Sequence, residues 1–216
     1  MKLLSVNVGA PRDAVWRGEV VRTGIFKSPV AGRVAMRGHN LDGDAQADLT
    51  VHGGADKAVY GYPSEHYGFW CEWLGQDTLP WGAFGENLTT EGLLEADVCI
   101  GDRFAIGSAL LEVSQPRIPC HKLALRHQRA DLPKRFLASG RSGFYFRIAR
   151  AGEVAAGDAI ERVAADPQRL SVAEVQSLAR GAGDPELVRR AAEHPALAQV
   201  WREDLRRRLG GLRASG

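Results

Sequence analysis

From Met1 to about Val163 the chain is a succession of short β-like runs cut by glycine-rich turns, and this punctuation limits what it can fold into. The runs are LLSVNV, with Leu4, Val6 and Val8 on one face, then WRGEVVR, DRFAIG, ALLEVS and GFYFRIA. Many short strands of this kind predict a mainly β architecture, a barrel or a sandwich. Helical periodicity interrupts the pattern from Ser64 to Leu74 after Pro63, from Lys122 to about His127, and from Pro133 to Ala138. These segments are expected to flank the strands.

After Ala164-Ala165-Asp166-Pro167 the character changes to three short helices. Ser171 with Glu174 makes a capping box, Gly181 or Gly183 ends the first helix, and Asp184-Pro185 and His194-Pro195 each set a proline at a first helical position. Val172, Val175, Leu178 and Ala179, then Leu197, Val200, Trp201, Leu205 and Leu209, keep helical spacing. The expected division is therefore residues 1–165 and a helical module at 166–216. A module of about 45 residues buries little surface alone, so it leans on the first domain or on another subunit. Trp201 and Leu205, on one face, are a candidate homodimer surface.

Charge balance excludes some function classes. With 28 Lys plus Arg against 26 Asp plus Glu, the net charge of +2 lacks the dense basic face of a nucleic-acid binder. No apolar run approaches the roughly 20 residues that span a bilayer. The 3 cysteines have no regular spacing and make no disulfide framework. The opening MKLLSVNVGAPRD carries no apolar leader, so the expected setting is cytoplasmic.

Chemistry concentrates in four stretches: Leu41 to Tyr67, FGENLTTEGL from Phe84 to Leu93, SQPRIPCHKL from Ser114 to Leu123, and GRSGFYFRI from Gly140 to Ile148. Cys71 and Cys99 lie in apolar runs and read as small buried hydrophobes. Cys120 differs, because it precedes a predicted helix start and has Arg117, His121 and Lys122 near it in sequence. Cations and a helix start both favour thiolate, the form that attacks electrophiles or binds soft metals. A cysteine that only packs at a turn is the alternative. In His52-Gly53-Gly54 with Lys57, the glycines let backbone amides approach a ligand while His52 and Lys57 hold an anion, unless the segment is an ordinary turn. Asn87 suits a left-handed turn as readily as a ligand. Asp42 and Asp44 lack the remaining ligands of a calcium loop.

GDAQADLTVHGGADKAVYGYPSEHY, FGENLTTEGL and GDRFAIGSALLEVSQPRIPCHKL, in that order, resemble the MOSC superfamily, named for the C-terminal domain of molybdenum-cofactor sulfurase. Within it the chain is most similar to the stand-alone bacterial branch that acts on hydroxylaminopurines and appends three helices. The resemblance implies a β-barrel holding a molybdenum–molybdopterin cofactor, with Cys120 as the molybdenum ligand. It also implies that Arg117, Lys122, His52, Lys57 and Asn87, with the Gly53 and Gly54 backbone, surround the pterin phosphate or the oxo groups. The implied reaction reduces an N-hydroxylated base to the amine, with His52 or Glu86 handling protons. Three scattered cysteines exclude a four-cysteine iron–sulfur centre, and no flavin or nicotinamide fingerprint is present. Electrons are thus expected from a separate flavoprotein. Two other readings use the same residues: a non-catalytic cofactor binder or sulfur carrier, and a transferase with Cys120 as nucleophile and His52 or His121 as base.

Overall fold

Strands form where β-branched and aromatic residues alternate with polar ones, and most of the strand runs read from sequence form as strands. The computed structural model describes residues 1–45, 53–181 and 183–214. In chain order its strands are β1 (Lys2–Val8), β2 (Arg12–Trp16), β3 (Glu19–Thr23), β4 (Ser28–Pro29), β5 (Val34–Arg37), β6 (Asn40–Leu41), β7 (Val59–Pro63), β8 (Leu88–Glu91), β9 (Arg103–Ile106), β10 (Ala109–Pro116), β11 (Phe144–Arg150), β12 (Gly152–Val154) and β13 (Ile160–Ala164). WRGEVVR is not one strand but a hairpin. Arg17 and Gly18 take positive φ of 54° and 85° and join β2 to β3, as a two-residue turn requires.

The expected β-barrel is not closed among the described residues. Among the described residues eight strands make one sheet in the order β13-β9-β10-β11-β7-β8-β1-β4, so it ends at β13 on one side and β4 on the other. One edge of β1 pairs with β8. Its other edge is divided: Asn7 and Val8 face β4, while Lys2 makes a lone bridge to Ala159 just before β13. That bridge and the bonds Ile160 N to Met1 O (3.0 Å) and Leu3 N to Asp158 O (2.9 Å) curl the sheet without completing a ladder. The register also shifts between Leu3 and Ser5, so Leu3 and Val6 enter the core rather than the expected alternate set Leu4, Val6 and Val8.

Only β7 and β8 pair in parallel within the described sheet, and parallel neighbours need a crossover. Residues 64–87 supply it through a 3-10 turn at Ser64–His66 and helix α1 (Tyr67–Leu74). The helices α2 (His121–His127) and α3 (Leu132–Ser139) flank the same end of the sheet. Tyr62, Trp70, Phe84 and Phe136 fill the space between, with the Trp70 and Phe136 rings stacked at 4.9 Å. Cys99 is buried as expected, whereas Cys71 is only half-buried on α1.

Three C-terminal helices follow: α4 (Val172–Ala179), α5 (Pro185–Glu193) and α6 (Gln199–Ala214). The capping box closes, with Glu174 N donating to Ser171 Oγ (3.2 Å) and Ser171 N to Glu174 Oε2 (2.7 Å). Asp184 caps α5 through Leu187 N. His194-Pro195 does not open a helix. His194 is buried against Asp166, and the next residues are spent on the sheet: Ala196 O accepts from Arg147 Nη1 (2.7 Å) and Ala198 N donates to Ser114 O (3.1 Å). Val175, Leu178 and Leu205 share one apolar cluster with Leu3, Phe104 and Phe146 of the sheet.

The turn before β11 is held from several sides. Tyr60 Oη donates to Ser142 O (2.7 Å), Tyr62 Oη to Arg141 O (3.0 Å), and Gly143 N to Glu95 Oε1 (2.7 Å). Gly143 has φ 64°, and a Cβ there would lie 2.3 Å from Gly61 O. Gly143→Ala is expected to cost about 3 kcal/mol, lowering the thermal unfolding midpoint by about 10 °C in calorimetry.

Candidate functional site

β10 ends at Pro116, and the chain then turns through Arg117 and Cys120 into α2. Arg117 N donates to Gly143 O (3.1 Å), so the constrained turn before β11 positions this arginine. Its side chain is 5% exposed, with the guanidinium 5.0 Å from the Tyr60 ring centre and 5.2 Å from that of Phe136. Nη1 is buried without a hydrogen-bond partner. A buried guanidinium stays charged, and an unpaired N–H there costs stability unless an anion meets it.

Arg117 also lines a cavity of about 100 Å³, together with Gly53, Lys27, Lys57, Asn87, Cys120 and Lys122 among others. The structure thus gathers six sequence-identified residues, Gly53, Lys57, Asn87, Arg117, Cys120 and Lys122, from three separate stretches. Gly54 is beside this lining rather than in it. Its φ of 79° and ψ of 176° serve the backbone, opening the 3-10 turn Ala55–Lys57 in a conformation largely restricted to glycine. His52 lies outside the described residues. His121 is exposed on the outer side of α2.

Asn87 is committed to the fold more than to a ligand. Its backbone N donates to Tyr60 O (2.8 Å) and its O accepts from Asn7 N (2.7 Å). Its Oδ1 accepts from Tyr60 N (3.1 Å), and Nδ2 donates to Asp44 Oδ2 (2.9 Å) and Asn7 O (3.3 Å). Asp44 in turn pairs with Lys27 and accepts from Gly9 N (2.9 Å). Its carboxylate is therefore consumed, in agreement with the rejected calcium loop. Burial lowers the Lys27 pKa, and Asp44 opposes that shift.

Glu86 is fully buried, with a pKa raised by burial and opposed by the hydrogen bond from Tyr67. It accepts from Gly82 N (2.8 Å), Phe84 N (3.0 Å) and Thr89 Oγ1 (3.1 Å) as well as from Tyr67 Oη. It does not line the cavity, and its work is to fold the loop that presents Phe84, Gly85 and Asn87. As a proton carrier for the site it is corrected by its position.

Cys120 is half-buried and lines two cavities at once. The second, of about 450 Å³, shares Lys57, Cys120 and Tyr145 with the first and is otherwise mainly apolar. Burial lowers the Lys57 pKa, while Asp56 and Cys120 oppose it, so the ammonium and the sulfur sense each other. No histidine lines either cavity among the described residues. Sequence reasoning missed Lys27, Tyr60 and Tyr145. Lys27 sits in GIFKSPV, where nothing but a lone lysine in an apolar run marks it.

A family model described as MOSC domain matches residues 48–161. YflK of Bacillus subtilis (strain 168) is 40% identical over 201 residues, which is 93% of this chain and 90% of that protein. A protein of Gibberella moniliformis (strain M3125 / FGSC 7600) named a reductase is 34% identical over 184 residues, 82% of this chain and 32% of its own length. The crystal structure of YiiM from Geobacillus stearothermophilus superposes with a TM-score of 0.81 at 40% identity, over 96% of this chain and 98% of that one.

Two outcomes test the framework. Asn87→Asp removes the donor to Asp44 and sets two buried carboxylates together, so denaturant unfolding should show a loss of about 3–5 kcal/mol. His127, whose ring nitrogen Nε2 is 2.9 Å from Ala83 O, has its pKa lowered by burial to about 4. The folded state therefore favours the neutral ring: its contribution is whole above the ordinary value near 6.5 and is lost as pH falls from there toward 4. Stability measured across that window should fall by about 1–2 kcal/mol more in the wild type than in His127→Gln.

Proposed function

The chain belongs to the MOSC domain family, and from that membership we propose that it is a molybdenum-cofactor-dependent reductase of N-hydroxylated bases such as hydroxylaminopurine, with Cys120 as the metal ligand. The observation that carries the reading is a cavity lined by Arg117, whose Nη1 is buried and unpartnered, together with Lys57, Lys122 and a cysteine. This donor set suits the group. A soft sulfur ligand is available for molybdenum, and cations with a glycine-bordered rim suit a pterin phosphate.

In this reading Arg117 Nη1 completes its hydrogen bonding on an anionic oxygen, the residue being positioned by the bond from its backbone N to the Gly143 carbonyl and its guanidinium by the Tyr60 and Phe136 rings beside it. Lys57 and Lys122 neutralise further charge, and Asn87 and Asp44 hold Lys27 in the same lining. When bound, the cofactor supplies two-electron chemistry at the N–O bond. The overall change is R–NHOH plus two electrons and two protons to R–NH2 and water, the electrons coming from a separate flavoprotein.

Expressed in a molybdenum-cofactor-competent bacterium, the wild type should carry near one molybdenum and one pterin per chain after gel filtration. Cys120→Ala should keep its fold by circular dichroism and lose most of the metal. Equal metal in both proteins, or none in the wild type under conditions that load a control molybdoenzyme, overturns the proposal.

A further inference from the structure

We infer that the wider cavity beside Cys120 is the compartment for the base, and that Trp201 of α6 is the residue that selects a planar ring. This rests on the reductase reading, which supplies the reacting N–O group but says nothing of what grips the rest of the substrate.

The two cavities divide by chemistry at a shared boundary. Beyond the shared Lys57, Cys120 and Tyr145, one side has Lys27, Arg117 and Lys122; the other has Ile118, Leu137, Ala179, Val200 and Trp201, with Gln115 and the paired Asp204 and Arg208 as its polar members. An anion belongs with the cations, and an uncharged heteroaromatic ring belongs against the apolar wall. A volume of about 450 Å³ lies within the range of small-molecule sites. A ring lodged there has its exocyclic group directed to the one boundary that includes the sulfur.

The wall is assembled from distant parts of the chain, yet it is tied to the catalytic side. Ser114 O accepts from Ala198 N just before α6, and Ser114 Oγ donates to Asp56 O (2.6 Å) in the turn that carries Lys57. Arg147 repeats the link, donating to Ala196 O (2.7 Å) and to Asp56 Oδ1 (2.7 Å). The start of α6, and with it Trp201, is thus registered against Lys57 by two residues of the central sheet. Trp201 is half-buried: it packs against the main apolar cluster and lines the cavity. An indole fixed on one side and open on the other is a stacking platform, and stacking of a base on an aromatic side chain is worth about tenfold or more in affinity.

The test is calorimetric titration of hydroxylaminopurine into the full-length protein, with molybdenum per chain measured on the same samples. Trp201→Ala should bind the purine about tenfold more weakly than wild type, and Trp201→Phe should stay within about threefold of it. Val200→Glu changes a position that is 69% exposed and leaves the fold alone, but sets a carboxylate in the apolar wall; it should also weaken binding. All three variants should hold as much molybdenum as the wild type. Unchanged affinity in Trp201→Ala and Val200→Glu overturns the inference, as does a wild type that binds no purine. Loss of molybdenum with Trp201 also overturns it, because the cavity would then serve the cofactor. A wild type without molybdenum that still binds the purine through Trp201 removes the reductase reading and leaves the base compartment standing.

Discussion

The amide of Asn87 holds together the part of the molecule where everything else converges. It stands at the junction of β1, β7 and β8, the only described place in the main sheet where strands run parallel, and it satisfies backbone groups of Asn7 and Tyr60 while bonding Asp44. A parallel pair beside an antiparallel one leaves mismatched backbone groups, and a side chain that both donates and accepts is what such a seam requires. Because Asp44 is fixed by Asn87, Lys27 is fixed by Asp44, and a buried positive charge becomes part of the cavity floor.

The second half of the site is positioned by a second chain of contacts. His66 Nε2 lies 2.7 Å from Glu95 Oε2; Glu95 accepts from Gly143 N; and Gly143 O accepts from Arg117 N. The two chains touch through Tyr60, whose N donates to Asn87 Oδ1 and whose Oη donates to Ser142 O. One delivers Lys27 and the loop at 82–87, the other the arginine and the cysteine turn. Burying the Lys27 ammonium and the Arg117 guanidinium, the latter with Nη1 unpartnered, is costly, and that cost is characteristic of a place shaped for a negative ligand rather than for stability.

Much of this was legible in the sequence, for reasons that differ residue by residue. Cys120 and Arg117 stood out because their neighbourhood combined prolines, cations and a helix start, and Lys57 because glycines preceded it. Ser171 and Glu174 were legible as a local pair, and local rules hold where both partners lie within one turn. Asn87 was legible as unusual, but its role was not, since its partners Asn7, Asp44 and Tyr60 are distant in sequence. Lys27 gave no signal for the same reason. The register shift after Leu3 and the late start of α6 both escaped pattern reading because long-range pairing overrode local preference: β8 and Ala159 set the first, Ser114 and Arg147 the second. Closure of the sheet depended on how β4 and Ala159 share the edge of β1, which no periodicity encodes.

An open sheet leaves two rows of backbone groups that another chain can extend, and the two ends here are blunted by different means. β4 is two residues long and ends in Pro29, which has no N–H to offer. β13 carries Glu161 and Arg162 and breaks register between Arg162 and Ala164, so it offers charge and a kink in place of a flat template. Among the described residues neither end of the sheet therefore presents a long flat edge, and the bonds from Met1 and β1 to Asp158, Ala159 and Ile160 keep its curl.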